Sequence, residues 1–249
     1  VASKADRSRS FGSIAADYDR LRAQPADAAV DWLVPARRDP LVDLGAGTGL
    51  FTRALAARAS RVIAVEPDDR MRSVLQQRSP EVTVLAGRGE AIPLPDASAD
   101  GVFASSAWHW MNPDQAIPEV ARVLRDGGRF GVIWTSRDPA AEWLRADEWF
   151  EEATRERDPA SQQRRERSLP DGGDFINIET QTFRFNRVMT PAELVESVAT
   201  YSRIITAPPE YRALGRARAT AALAELFPGA SQIEVPFRSR CWRADRVPR

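Results

Sequence analysis

The stretch Leu41-Val42-Asp43-Leu44-Gly45-Ala46-Gly47-Thr48-Gly49-Leu50 decides the fold. Its first four residues are a short apolar run carrying one carboxylate, as expected of a buried strand, and three glycines at alternate positions follow. Glycine adopts backbone angles closed to other residues and lets a ligand approach the main chain. Phe51 to Arg58 has helical spacing, so the loop joins a strand to a helix N-terminus, whose unpaired N–H groups favour a carboxylate or phosphate. Open α/β sheets bind ligands at the carboxyl ends of their strands. This loop is therefore expected to cradle part of a nucleotide-like cofactor. A P-loop would need Gly-Lys-Ser/Thr, and the dinucleotide fingerprint G-x-G-x-x-G would need glycine at position 50. Leu50 breaks both, and so counts against a nicotinamide dehydrogenase.

Outward from the loop, strand and helix signals alternate. Arg61–Val65, Val82–Leu85, Gly101–Ser105 and Arg129–Trp134 read as strands. Asp68–Arg78, with Asp68 as cap, and Asn112–Leu124, stopped by Asp126-Gly127-Gly128, read as helices. This rhythm predicts an α/β fold with a parallel sheet covered on both faces. Upstream, Phe11–Val34 has helical spacing broken by Pro25, and residues 1–10 read as a flexible arm. After Asp138 the rhythm fails. Pro139–Arg157 reads as a helix, residues 164–173 as a polar loop, and Ile178–Val188 as a strand of imperfect alternation. Thr190-Pro191-Ala192-Glu193 is a capping-box start for a helix to about Tyr201. Glu210–Leu226 reads as a helix and Gln232–Trp242 as a last strand.

Glu66 ends the second strand, where an acidic residue can accept hydrogen bonds from a ribose or merely cap the next helix. The loop is G-x-G-x-G preceded by Asp43, which resembles motif I of the class I S-adenosylmethionine-dependent methyltransferases. Val62-Ile63-Ala64-Val65-Glu66-Pro67 with Met71 resembles the second motif of that family. Gly89-Glu90-Ala91-Ile92-Pro93-Leu94-Pro95-Asp96 with Asp100 resembles the third, and Val120–Leu124 with Asp126-Gly127-Gly128 the turn before the fifth strand. Together they cover residues 41 to 134 in the expected order. The Trp108-His109-Trp110 and Trp134-Thr135-Ser136-Arg137-Asp138 elements resemble the small-molecule branch that includes trans-aconitate methyltransferase-like enzymes (methyltransferase type 11).

The resemblance implies a Rossmann-like fold: a seven-stranded, mostly parallel sheet with helices on both faces, the last strand antiparallel, and a partly helical cap. The division expected is a core over residues 1–138, a substrate cap over 139–190, and helices and a last strand over 191–249. The resemblance also implies that S-adenosyl-L-methionine is bound and S-adenosyl-L-homocysteine released. Gly45, Ala46 and Gly47 would line the methionine end, with Asp43 orienting the loop or meeting the amino group through water. Glu66 would hold the ribose, Pro67 and Met71 would pack on the adenine, and Gly89 and Glu90 would lie at its edge. Ser105 and Ser106 would sit beside the methyl group. Core packing is the other role open to Met71 and Ile92. Arg88 departs from the family, which often has a hydrogen-bond acceptor there, and arginine has none. Either the main chain or Glu90 reads the adenine, or Arg88 points away.

Methyl transfer is an in-line displacement from a good leaving group, helped chiefly by proximity, alignment and exclusion of water. A carboxylate nucleophile needs no base; a hydroxyl or ammonium does. His109 is the chain's one histidine, and catalytic base, substrate or cofactor contact, and packing are all open to it. Trp108 and Trp110 would wall the substrate pocket, stack on the sulfonium, or belong to the core. Arg137 would grip a substrate carboxylate, or pair with Asp138. Tyr18 and Arg22 share one face of the N-terminal segment, which closes over the cofactor in this family.

Composition narrows the partners. Lys plus Arg and Asp plus Glu number 35 each, which argues against bulk attraction to nucleic acid. The arginine-rich run Arg157–Arg167 is interrupted by acids and reads as a solvated surface. One cysteine, Cys241, forms no intrachain disulfide, as fits a reducing cytoplasm. Residues 1–10 are polar and basic with no apolar region after them, so a secretory signal is not expected, and neither a membrane span nor a cluster of metal ligands is expected from the sequence. The expectation is a cytoplasmic monomer or homodimer acting on a small-molecule acceptor at O, N or C, without nucleic acid or membrane. The rival readings are a methyltransferase for RNA or protein and a non-catalytic protein of the same fold.

Overall fold

The computed structural model describes residues 10–144, 146–150 and 169–248. The arm expected at residues 1–10, Ser10 apart, and the arginine-rich run fall outside them, as do the rest of residues 151–168. A 3-10 turn at Phe11–Ile14 leads into α1 (Ala15–Leu21) and α2 (Asp27–Leu33). Then come β1 (Leu41–Leu44), α3 (Leu50–Ala56), β2 (Val62–Val65), α4 (Asp69–Arg78), β3 (Thr83–Leu85) and β4 (Ala99–Ser105). A 3-10 turn at Trp108–Trp110 precedes α5 (Pro113–Val123), β5 (Leu124–Arg137) and α6 (Ala146–Trp149). The rest is β6 (Phe175–Met189), α7 (Pro191–Ala199), α8 (Ser202–Ile205), α9 (Pro209–Leu226) and β7 (Ile233–Arg246).

The seven strands form one mixed sheet in the order β3-β2-β1-β4-β5-β7-β6. β3 with β2, β2 with β1, β1 with β4 and β4 with β5 pair in parallel. Order reverses after β1, the place where such sheets open a crevice at their strand ends. Strand residues alternate between two apolar layers. Val42, Leu44, Val102 and Ala104 pack with Ala116, Val120 and Val123 of α5. Leu41 and Phe103 pack with Val30 and Leu33 of α2 and Phe51 and Leu55 of α3. Both faces are thus covered, which is why β1 is buried along its whole length.

By packing, the chain divides into two compact units. One holds the described residues within 24–135, 160–183 and 238–249, including both layers above. The other holds those within 1–23, 136–159 and 184–237 and has its own core. There Trp149, Phe150, Leu194, Val198, Ile204, Leu223 and Val235 cluster. Thr190 opens α7 with a complete capping box, its hydroxyl accepting from Glu193 N–H while the Glu193 carboxylate accepts from Thr190 N–H.

Several boundaries differ from the sequence expectation. Asp126-Gly127-Gly128 does not stop α5: the helix ends at Val123 and Leu124 already begins β5. The glycines lie where the β4–β5 register shifts, and Gly127 takes φ 70°. Ala99 pairs with Leu124 and Gly101 with Arg129, so this stretch is a bulge. Pro139–Leu144 forms turns, with helix only at Ala146–Trp149 among the described residues of that segment. The helix expected to reach Tyr201 ends at Ala199, and β6 extends past both expected ends.

Candidate functional site

The parallel register brings four loops to one end of the sheet. Leu44 pairs with Val65, so Gly45 leaves β1 beside Glu66 leaving β2. The Val65 carbonyl accepts from the N–H of Gly45 at 2.8 Å and of Ala46 at 3.2 Å, and Glu66 N–H donates to Leu85 O at 3.1 Å. Gly45, Gly47 and Gly49 have φ of 70°, 57° and 86°, the left-handed region in which a side chain is strained. Their surroundings differ. A Cβ on Gly45 would stand 2.7 Å from Ala107 Cβ, whereas one on Gly47 would meet nothing within 4 Å. Gly45 is glycine for close packing; Gly47 borders open space.

Two carboxylates stand at this loop. Asp43 is fully buried; its Oδ2 accepts from the Thr52 hydroxyl at 2.6 Å, and its Oδ1 has no partner. Burial, and next the charge of Glu66, push its pKa up to about 7, against the lowering effect of the Thr52 hydrogen bond. Glu66, 7% exposed, binds main chain with both oxygens: Oε2 accepts from Gly47 N–H and Oε1 from Asp68 N–H, each at 2.9 Å. Burial raises its pKa despite those bonds. Glu66 therefore ties the glycine loop to the start of α4, where Asp68 caps the helix by accepting from Arg70 N–H. Pro67 is exposed beside it and Met71 is buried.

The loops after β3 and β4 close the same end. Arg88 is exposed, its carbonyl accepting from Ala91 N–H, so its side chain is directed to solvent. Gly89 is buried, and Glu90 Oε1 accepts from Asn112 N–H at 2.7 Å. A Cβ on Gly89 would lie 2.4 Å from Met111 Sδ, and the Cβ on Gly45 would lie 3.4 Å from Met111 Cε. Met111 thus fills the gap between these two glycines. Nothing in the sequence singled it out, because its importance lies in two long-range neighbours.

Ser105 ends β4 and Ser106 follows with φ 53°, a strained angle for a side-chain-bearing residue at the strand end. Trp108 is 1% exposed and packs edge-on against Phe130 at 5.0 Å. Of the roles open to it, its surroundings match the core: the ring is enclosed by apolar side chains. His109 and Trp110 are half-buried, their rings 4.6 Å apart.

The remaining residues singled out from the sequence gather in the other unit. Arg22 caps the C-terminal end of α1, one turn after Tyr18, and its guanidinium lies 5.1 Å from the Tyr18 ring and 4.5 Å from that of Tyr201. Arg137, the last residue of β5, lies 4.8 Å from the same Tyr201 ring. The ion pair considered for Arg137 is not made: the Asp138 carboxylate receives Arg184 instead, at 2.9 Å. Burial and next the Arg22 charge hold the Arg137 guanidinium below its ordinary pKa, although Tyr201 acts the other way. Burial alone would raise the Tyr201 phenol, but the two guanidinium charges bring it down. Among the described residues, no three potential ligands form a metal site, and no helix is long and apolar enough to cross a membrane.

Comparison with known proteins places this arrangement. The methyltransferase domain family matches residues 42–132, the span from β1 through most of β5. An uncharacterized methyltransferase of Mycobacterium tuberculosis (strain ATCC 25618 / H37Rv) is 39% identical over 247 residues, covering 98% of each chain. The malonyl-[acyl-carrier protein] O-methyltransferase of Methylococcus capsulatus is 35% identical over 134 residues, 48% of each chain. A solved structure assigned as a type II methyltransferase, from Anaeromyxobacter dehalogenans, aligns with a TM-score of 0.69 at 24% identity. It covers 92% of this chain and 99% of that one, a likeness of fold.

Proposed function

This chain belongs to the class I S-adenosylmethionine-dependent methyltransferase family, and on that premise we propose that it moves the methyl group of S-adenosylmethionine to an O, N or C atom of a small-molecule acceptor. The observation that carries the reading is the pairing of Asp43 Oδ1, a buried acceptor without a partner, with a glycine loop that is open at Gly47. Two buried carboxylates beside the loop repel a pyrophosphate and suit a cation. The residues fit this cofactor, whose ammonium and sulfonium are both cationic, better than a dinucleotide.

When bound, S-adenosylmethionine supplies an electrophilic methyl group on a good leaving group. Asp43 receives the amino group, directly or through water, and Gly45, Ala46 and Gly47 let the methionine end lie against the main chain. Glu66 retains free lone pairs beyond its two main-chain bonds and takes the ribose hydroxyls. Pro67 and Met71 flank the adenine, with Gly89 and Glu90 at its edge. Ser105, Ser106, His109 and Trp110 border the transfer. A hydroxyl or ammonium acceptor loses its proton to His109, while a carboxylate needs no base. The chain's contribution is chiefly alignment and exclusion of water. The unit that holds Arg22, Arg137 and Tyr201, with the residue 139–190 segment, serves acceptor recognition.

Titration calorimetry with S-adenosylhomocysteine tests the cofactor assignment. The wild type binds, and Glu66→Ala weakens binding by at least tenfold, about 1.4 kcal/mol. A folded wild type that produces no binding heat refutes it. Methyl transfer from labelled S-adenosylmethionine to a library of small acids, phenols and amines then identifies the acceptor.

A further inference from the structure

Two guanidinium groups flank Tyr201. Arg22 lies 4.5 Å and Arg137 4.8 Å from its ring centroid, and Arg22 also covers Tyr18 at 5.1 Å. Neither arginine has a carboxylate partner among the described residues. By contrast Arg58, Arg122, Arg125, Arg129, Arg216 and Arg246, none of them more exposed than half, each meet an acid. Arg22 and Arg137 are half-buried, and the Tyr201 ring between them is held against the core of its unit.

Two like charges near one ring repel, and Arg137 bears the cost: burial and the Arg22 charge hold its guanidinium below its ordinary pKa, while at Arg22 burial is outweighed by Tyr18 and Tyr201. Attraction to the ring faces offsets only part of this. A nearby acid would remove the conflict, and the chain places its acid elsewhere: Asp138, adjacent in sequence to Arg137, is committed to Arg184. The arrangement is what a receptor for an external anion needs. It offers planar donor forks that match an oxyanion bidentately, and a phenol that adds a further donor.

We infer that Arg22, Arg137 and Tyr201 form a binding site for an oxyanion group, a carboxylate or phosphate, carried by the methyl acceptor. The inference rests on the methyl-transfer reading for the identity of the ligand, but the anion site itself does not. Its three residues come from the end of α1, the end of β5 and the α7–α8 junction. Acceptors bearing such a group are therefore preferred over their esters and amides.

The test is thermal denaturation of the full chain at constant ionic strength, with succinate, inorganic phosphate and neutral succinamide as probes. A saturable rise in the midpoint with succinate or phosphate, and none with succinamide, is expected; whichever anion acts at the lower concentration identifies the group. Arg22→Met and Arg137→Met each abolish the rise, and Arg137→Lys, which keeps the charge but loses the fork, weakens it at least tenfold. Without anion, Arg137→Met denatures at the wild-type temperature or above, because it removes a repelled charge. An unchanged wild-type midpoint with both anions overturns the inference. So does a response that survives in both methionine variants, or one that succinamide reproduces. S-adenosylhomocysteine binding, measured on the same samples by calorimetry, separates the two readings. Loss of anion response with intact cofactor binding in the variants supports the site, and a wild type that binds anion but no cofactor defeats methyl transfer while the anion site stands.

Discussion

Replacing Asp43 by asparagine should stabilise the ligand-free chain at alkaline pH and not at acid pH. Folding carries the carboxyl from an ordinary 3.8 to about 7, because burial and the neighbouring Glu66 penalise its charge. A carboxyl whose pKa rises on folding binds its proton more tightly in the folded chain. Folding then takes up a proton between pH 3.8 and about 7, so stability falls across that window and levels off above it. At about 1.36 kcal/mol per pH unit, the full penalty is about 4 kcal/mol. It is not reduced by solvent, since Asp43 is 0% exposed. Asparagine keeps an acceptor for the Thr52 hydroxyl and carries no charge. Urea denaturation, which adds no salt, measures the difference. The advantage of Asp43→Asn over wild type should grow by about 3 kcal/mol between pH 5 and pH 8. The same substitution should weaken S-adenosylhomocysteine at least tenfold, because the vacant Oδ1 loses its charge. A difference that does not vary with pH, or a wild type that gains on the variant as pH rises, would refute the reasoning. The carboxylate would then be solvated or paired, and could not be the vacant acceptor on which the cofactor assignment leans.

Two further outcomes follow from the same geometry. Gly45→Ala and Gly47→Ala share the backbone strain of a left-handed residue, about 1–2 kcal/mol. Only Gly45→Ala adds a 2.7 Å clash with Ala107 Cβ, so its unfolding free energy from urea denaturation should fall further, by about 1–3 kcal/mol more. Equal losses would show that the loop relaxes freely. The Cys241 thiol, which burial pushes up to about 12, should be inert to a thiol-disulfide reagent at pH 8 in the folded chain and react fully in denaturant. Rapid labelling of the folded protein would show that β7 opens.

The sequence was legible where the information is local. Leu41–Leu44, the three glycines, the Asp68 cap and the Thr190 capping box are each set by neighbours within four residues, and they appear as read. The sheet followed from their repetition. What failed depends on contacts far apart in the chain. Asp126-Gly127-Gly128 carries a helix-stop pattern, yet pairing with β4 recruits it into a strand. Trp108 sits in a motif that left pocket wall, sulfonium stacking and core all open, and it takes contact with Phe130, 22 residues on, to favour the core. Met111 and Tyr201 carried no signal at all. Met111 matters through Gly45 and Gly89, and Tyr201 through Arg22 and Arg137. Within the candidate site, the residue types were thus readable, while the partners that give each type its role were not.

Net charge is zero over the chain, yet each unit holds buried or half-buried charge of one sign that no counter-charge among the described residues pairs directly. In one, burial raises the cost of ionising both Asp43 and Glu66, and the Glu66 charge adds to that of Asp43. In the other, Arg22 and Arg137 share Tyr201 without an acid. Elsewhere the chain pairs its charges readily: Asp100 alone receives Arg37, Arg125 and the Asp39 N–H. Groups that reduce stability persist where ligand recognition needs them. The two sets ask for ligands of opposite sign, a cation at the glycine loop and an anion at Tyr201, which is the charge pattern of a sulfonium donor and an acidic acceptor. A neutral acceptor would leave Arg22 and Arg137 unexplained, so the charge of the best acceptor, once found, judges both assignments together.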